Sequence, residues 1–493
     1  MSREANAALQ LKILQIGFVL GFVATVIYAV RGLMFGSGFF VKIFALGLIS
    51  AAIVIALDDR YWLFSAFLFG FYDTLPVVKF TGAELGSIVL FATFFVRLAL
   101  RRDAFIVGSK RLVWAVVPFL AWMCLVWGMN PVGMNILGSS AIGGRFYLKV
   151  ILSFLSLSVL SCLRFDEREC KLLCFSIAAG YLAFVFRAAL FGSAEESVLG
   201  TDTHYDFIHL SFVAPFFLCR FSAPELLGRF GPLLGFLVTF GLSVYSGNRT
   251  AAARPVLVGL MAPFFLKKDR FKTLVLLVFA GLCLIVLVAG HGVAWRLPYS
   301  IQRSLSFLPG RWDHRLESYG FNDDFRAELR YWARQHIKER PWFGDGGFSL
   351  DQTDMVWGSA RAEKGAFADT IAGHVLARNW HNVWLGMAAD FGIPLSIFWG
   401  LFMAVLMVEG YRGSKRLPSG SWWQTAYLYF YLMIVTEFLN FFFNGGHTAK
   451  TTQQLFLWAG MMTAVLNGVR GMNPVSSDSF ALSLPQPSST RTP

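Results

Sequence analysis

Apolar residues along this 493-residue chain come in long runs, and polar residues gather in short connections between them. Leu11–Val30, Leu112–Met129, Phe146–Leu163 and Thr273–Ala289 are examples. A spanning helix needs roughly 17–25 mostly apolar residues, so the pattern predicts an all-α polytopic membrane bundle. Fourteen spans are expected, centred on 11–30, 42–57, 61–71, 85–98, 112–129, 146–163, 172–191, 207–219, 232–245, 250–266, 273–289, 381–408, 422–441 and 452–469. The third and eighth are short enough for half helices, which leaves the count at 12–14.

One polar stretch, residues 291–380, interrupts the runs. Within it "FRAELRYWARQHIKER" predicts an amphipathic helix over 324–340, with Asp323 or Asp324 as cap and Pro341 as stop. Phe325, Leu329, Trp332 and His336 fall on one face; Arg326, Arg330 and Arg334 fall on another. Such a helix either packs on the spans with its charges solvated or covers a cavity. A glycine-rich turn, "WFGDGG", follows.

Composition supports the membrane class: 56% of residues are hydrophobic and 15% charged, against about 25% charged in soluble domains. The net charge of +13 is placed in short connections: Arg97, Arg101, Arg102, Lys110 and Arg111; Lys267, Lys268, Arg270 and Lys272; Arg412, Lys415 and Arg416. Basic short loops face the cytoplasm. Alternating spans put all three on the side of the two termini and the long loop opposite. The basic balance therefore points to membrane lipids, not nucleic acid. The first run exceeds a signal-peptide core and reads as a retained helix. Cys124, Cys162, Cys170, Cys174, Cys219 and Cys283 lie in or beside spans, so no disulfide framework is expected. The Ser/Pro-rich tail, 471–493, reads as disordered and cytoplasmic. The remaining divisions are 1–290, an amino-terminal bundle; 291–380, the translocated loop; and 381–470, the last spans.

Candidate chemistry gathers at the translocated end. Arg249 and Arg254 in "YSGNRTAAARP" sit at a helix entrance, where positive charge is not favoured by orientation; arginine forks suit phosphate oxygens. Snorkelling to lipid headgroups is the plainer alternative. Arg145 and Lys149 share a face at the start of the sixth span, and Arg187 lies near the outer end of the seventh. His381 opens the twelfth span and is either a general base or a polar cap. Asp202, His204, Asp206 and His209 in "TDTHYDFIHLS" have no trusted metal spacing, and His447 and Lys450 precede the last span. No phosphate-binding loop, G-x-S-x-G or H-E-x-x-H motif is present.

From these residues a resemblance follows. "HNVWLGMAADFG", with His381–Asn382 and then Gly392, resembles the signature of the O-antigen ligase and O-antigen polymerase superfamily. "RYWARQHIKERPWFGDGGFS" resembles that family's helix, Pro and Gly-rich turn, and "SGNRTA" its Ser-Gly-x-Arg turn. Leu395 stands where ligases often have a second glycine. The similarity covers about 245–394. It implies a GT-C-like fold and an inverting glycosyltransferase needing no metal or other cofactor. The implied donor is a glycan on undecaprenyl diphosphate; the acceptor is a lipid A core sugar or a second lipid-linked glycan. With the charged residues read above from their placement, the candidate site has His381 and Arg249 as catalytic residues, and Arg249, Arg254, Arg145, Lys149 and Arg187 on the diphosphate. Arg326, Arg330, Asn382, His204 and His447 are acceptor-contact candidates. The implied location is the bacterial inner membrane, with 291–380 periplasmic. Ligase, polymerase and protein O-oligosaccharyltransferase remain open within the family. A polysaccharide flippase remains open outside it.

Overall fold

The computed structural model describes residues 57, 60–71, 80–99, 110–129, 144–191, 205–266, 269–306, 308–313, 323–344, 346, 380, 382–443 and 448–472. Among them are sixteen α-helices, one 3₁₀ helix and no strand. Five helices among the described residues are long and apolar enough to cross a bilayer: Arg111–Met129, Glu167–Arg187, Arg270–Gly290, Ile393–Ser414 and Trp422–Phe442. The protein is thus an all-α membrane protein. The two expected spans at 11–30 and 42–57 and the tail from 473 lie outside the described residues, except for residue 57.

The first helices are α1 (Trp62–Gly70), α2 (Gly82–Ala99), α3 (Lys110–Met129), α4 (Gly144–Leu160) and α5 (Glu167–Phe191). Helix α1 has nine residues, a rise of about 13 Å, so it is the half span its short apolar run allows. It packs on α2 and α5. Reciprocal caps start two of these helices. At α2, Thr81 N donates to Glu84 Oε2 (2.6 Å) and Glu84 N to Thr81 Oγ1 (3.2 Å). At α5, Asp166 and Glu169 exchange the same pair of bonds at 2.8 and 2.6 Å.

The expected eighth span is not one helix. A 3₁₀ segment, Tyr205–Phe212, precedes α6 (Ala214–Arg220). Pro215 lies in the first turn of α6, where its missing N–H costs nothing, and the helix restarts there. Then follow α7 (Ala223–Leu227), α8 (Phe230–Tyr245), α9 (Arg249–Leu266), α10 (Arg270–Gly290) and α11 (Tyr299–Leu305). Helix α10 presents exposed Leu274, Phe279, Leu282 and Ile285. In a bilayer this is the lipid-facing surface, since lipid tails are as apolar as these side chains.

The loop helix is α12 (Asp323–Glu339). Its buried stripe runs through Leu329 and Ala333, both 0% exposed, while Trp332, expected on the same face as Leu329, is 42% exposed. The expected twelfth span, 381–408, is two helices: α13 (Val383–Phe391) and α14 (Ile393–Ser414). Gly392 breaks it at φ +86°, and Pro394 lies in the first turn of α14. Helices α15 (Trp422–Phe443) and α16 (Thr448–Met472) complete the bundle. α15 is its axis: Leu428, Tyr429, Phe430, Leu432 and Met433 are fully buried, and α5, α6, α9, α14 and α16 all touch it.

Candidate functional site

The entrance of α9 is set by three residues. Gly247 adopts φ +74° and turns the chain. Asn248 then caps α9, its Oδ1 accepting from Thr250 N (2.9 Å) and Ala251 N (3.1 Å). The cap occupies these amides, so an anion here would be met by guanidinium groups rather than by them. Arg249 Nη2 donates to Ser306 Oγ (2.7 Å) and its Nε to the Arg303 carbonyl (3.5 Å), both at the end of α11. Ser304 Oγ in turn donates to the Val244 carbonyl (2.6 Å), which ties α11 to the end of α8. Arg249 is half-buried.

Arg254 lies about 7 Å deeper along α9. It is buried, pairs with Glu437 of α15 and donates to Ser211 Oγ. Its guanidinium carbon sits 3.9 Å from the centre of the Phe212 ring. Asn440 Nδ2 donates to the other Glu437 oxygen (3.2 Å). A buried guanidinium needs such compensation, because its desolvation costs several kcal/mol (roughly 3–5 when a partner is removed). Its Nε is buried and has no hydrogen-bond partner among the described residues.

The glycine-rich turn after α12 docks on the break between α13 and α14. Gly346 N donates to the Asp390 carbonyl (2.8 Å), and Ile393 N to the Pro341 carbonyl (2.9 Å). A Cβ on Gly392 would lie 1.8 Å from the Trp342 carbonyl oxygen, and one on Gly344, at φ +59°, 2.4 Å from the Asp390 carbonyl carbon. Both positions therefore require glycine. Aromatic side chains brace the junction. Trp122 stacks on Phe343 at 5.2 Å and donates to the Phe391 carbonyl (3.0 Å); Tyr147 Oη donates to the Gly346 carbonyl (2.9 Å). Trp380 Nε1 donates to Asp390 Oδ1 (3.2 Å), which fixes the residue before His381.

These two regions meet on the last turns of α15. Glu437 faces α9, while Phe438 and Phe442 pack against Trp384 of α13 at 6.2 and 5.8 Å. Trp384 Nε1 is buried without a partner among the described residues, as Arg254 Nε is. Both atoms can only donate.

The other expected site residues are scattered or outside the described residues. His381, His204 and His447 lie outside them, and the side chain of Arg145 is not described. Lys149 faces the fully buried Glu84 at 3.9 Å. Arg187 is half-buried near the end of α5. Arg326 is half-buried and Arg330 exposed on α12. Asn382 caps α13, its Oδ1 accepting from Leu385 N (3.0 Å), so that oxygen is engaged in the fold. His209 is buried among Tyr181, Phe184 and Phe212. All six cysteines are free. Sequence reasoning missed Glu437, Ser211, Asp390, Trp380 and Trp384. An acid inside an apolar run was the available signal for Glu437 and Asp390; the tryptophans and Ser211 carry none.

No protein-family model matches the chain, and no curated protein matches it in sequence.

Proposed function

We propose that the chain is a periplasm-facing, inverting glycosyltransferase of the inner membrane that moves a glycan from undecaprenyl diphosphate to a sugar hydroxyl, most simply that of a lipid A core. The observation that carries this reading is convergence. Of the three segments resembling the O-antigen ligase family, the one that begins at the Arg249 turn and the one that ends at Gly392 both pack on the last turns of α15, and the one around Gly344 docks on the latter.

The chemistry asked of these residues is modest. The acceptor hydroxyl attacks the anomeric carbon of the donor as the bond to the diphosphate oxygen breaks. Arg249 stabilises the charge that develops on that leaving group, and Arg254, held by Glu437, backs it from within α9. His381 takes the hydroxyl proton. Helix α12, clamped through its glycine-rich turn, covers the site and keeps out water that would hydrolyse the donor.

Purified protein given a lipid-diphosphate glycan and an acceptor should form the glycosidic bond in the presence of a metal chelator. Arg249→Ala should lower turnover by about 100-fold or more, and His381→Ala by about 100-fold or more. Full activity in both variants would sink the site assignment. Movement of the glycan across a vesicle wall with no new glycosidic bond would assign the chain to transport instead.

A further inference from the structure

A groove of about 580 Å³ runs between α3 and α14 at the end of the bundle opposite Arg249; ligand clefts typically measure roughly 300–1,000 Å³. It exists because small side chains, Ala115 and Ala404, line the seam where the two helices pack, with Val405 beside them. Its polarity is one-sided. Arg412, Val408 and Ala404 recur every four residues along α14, so the groove passes from charge to hydrocarbon over about 12 Å.

At the charged rim Arg111 Nη1 and Arg412 Nη1 both reach the same oxygen, Glu409 Oε1, at 3.3 and 3.4 Å. Two guanidinium groups thus share one carboxylate, leaving a net positive charge. Their side chains are 72% and 56% exposed, so most of their N–H groups face outward. Trp114, one turn from Arg111, is 68% exposed on the rim; an indole of this kind belongs at the headgroup level of a bilayer.

A ligand that satisfies this groove carries an anionic group at the interface and an apolar chain parallel to the helices. We propose that the groove holds one anionic glycerophospholipid of the surrounding leaflet. Its phosphate sits between Arg111 and Arg412 in a bidentate contact, and an acyl chain lies over Ala115, Ala404 and Val405. A soluble anion leaves the apolar floor unused. A zwitterionic headgroup brings a cation toward two arginines.

The test is native mass spectrometry of the full chain in detergent, titrated with phosphatidylglycerol and with phosphatidylcholine of the same acyl chains. One phosphatidylglycerol adduct should form well before any phosphatidylcholine adduct, and excess inorganic phosphate should leave it in place. The double variant R111Q/R412Q should weaken it about 30-fold, which corresponds to two arginines at about 1 kcal/mol each. Ala404→Leu should weaken it too, by filling the floor without touching a charge, and serves alone if the double variant does not fold. Equal affinity for the two lipids, displacement by phosphate, or unchanged binding in the folded variants would overturn the proposal.

Discussion

Two glutamates, one on α14 and one on α15, each face arginine, and they sit at opposite ends of the bundle. Glu437 is buried, as is its partner Arg254, and Ser211 and Asn440 complete the network. Glu409 is partly exposed, and its partners Arg111 and Arg412 are mostly exposed. The residue types are the same and the physics differs. Buried charges interact strongly but have lost their water, so each depends on the other. Exposed charges are screened and replaceable, so they are worth little to the fold and remain open to a ligand. One contact joins α9, α15 and the 3₁₀ segment; the other leaves positive charge on the surface.

The sharpest way to break this contrast is Glu437→Ala. It strands the Arg254 guanidinium among apolar neighbours, and about 3–5 kcal/mol of stability should go with it. Thermal unfolding in detergent, followed by circular dichroism, reads the loss. The double replacement R254M/E437L should recover most of it, because a well-packed apolar pair needs no compensation. If the single variant melts with wild type, Glu437 is not the counter-ion that its position implies.

Gly392→Ala tests whether sensitivity at this end comes only from buried charge. The substitution adds no charge and removes none, yet its Cβ would meet the Trp342 carbonyl oxygen at 1.8 Å. A cost of about 1–3 kcal/mol is expected from the left-handed backbone alone. The turn after α12 should also undock, and chymotryptic cleavage after Phe343, which stacks on Trp122 in the docked turn, should accelerate. Unchanged cleavage and an unchanged melt would mean that the docked turn can shift without cost.

How much of this was legible follows from the range of the forces. Several helix positions were, because apolar runs are local, although the expected eighth and twelfth spans each divide in two. The break at Gly392 was harder, because the carbonyl that fills the space beside it belongs to Trp342, far upstream. Periodicity put Trp332 on one face of α12 with Leu329, but α13 offers Ala389 at the contact, and two small residues let the helices approach; Ala333 therefore takes the buried place. At the candidate site, Arg249 and Arg254 could be named as arginines at a helix entrance. Their partners could not: Ser306 and Glu437 are 57 and 183 positions away, and no local period reports such a pairing.

The smallest effect on stability should come from Glu409→Gln, and its sign on binding separates the two glutamates most clearly. Removing a partly exposed carboxylate whose partners are mostly exposed changes stability by about 1 kcal/mol or less, and less still at high salt. Both arginines meet the same Glu409 oxygen, so the carboxylate competes with an incoming phosphate for the same N–H groups. Neutralising it should tighten phosphatidylglycerol binding while the melt stays near wild type. At the buried site the corresponding change, Glu437→Gln, should lower the melt, because Arg254 would keep a hydrogen-bond acceptor and lose its counter-charge. A matched fall in both melts would erase the contrast; a fall at Glu437 with tighter lipid binding at Glu409 fits one contact that holds the bundle and one that recruits a lipid.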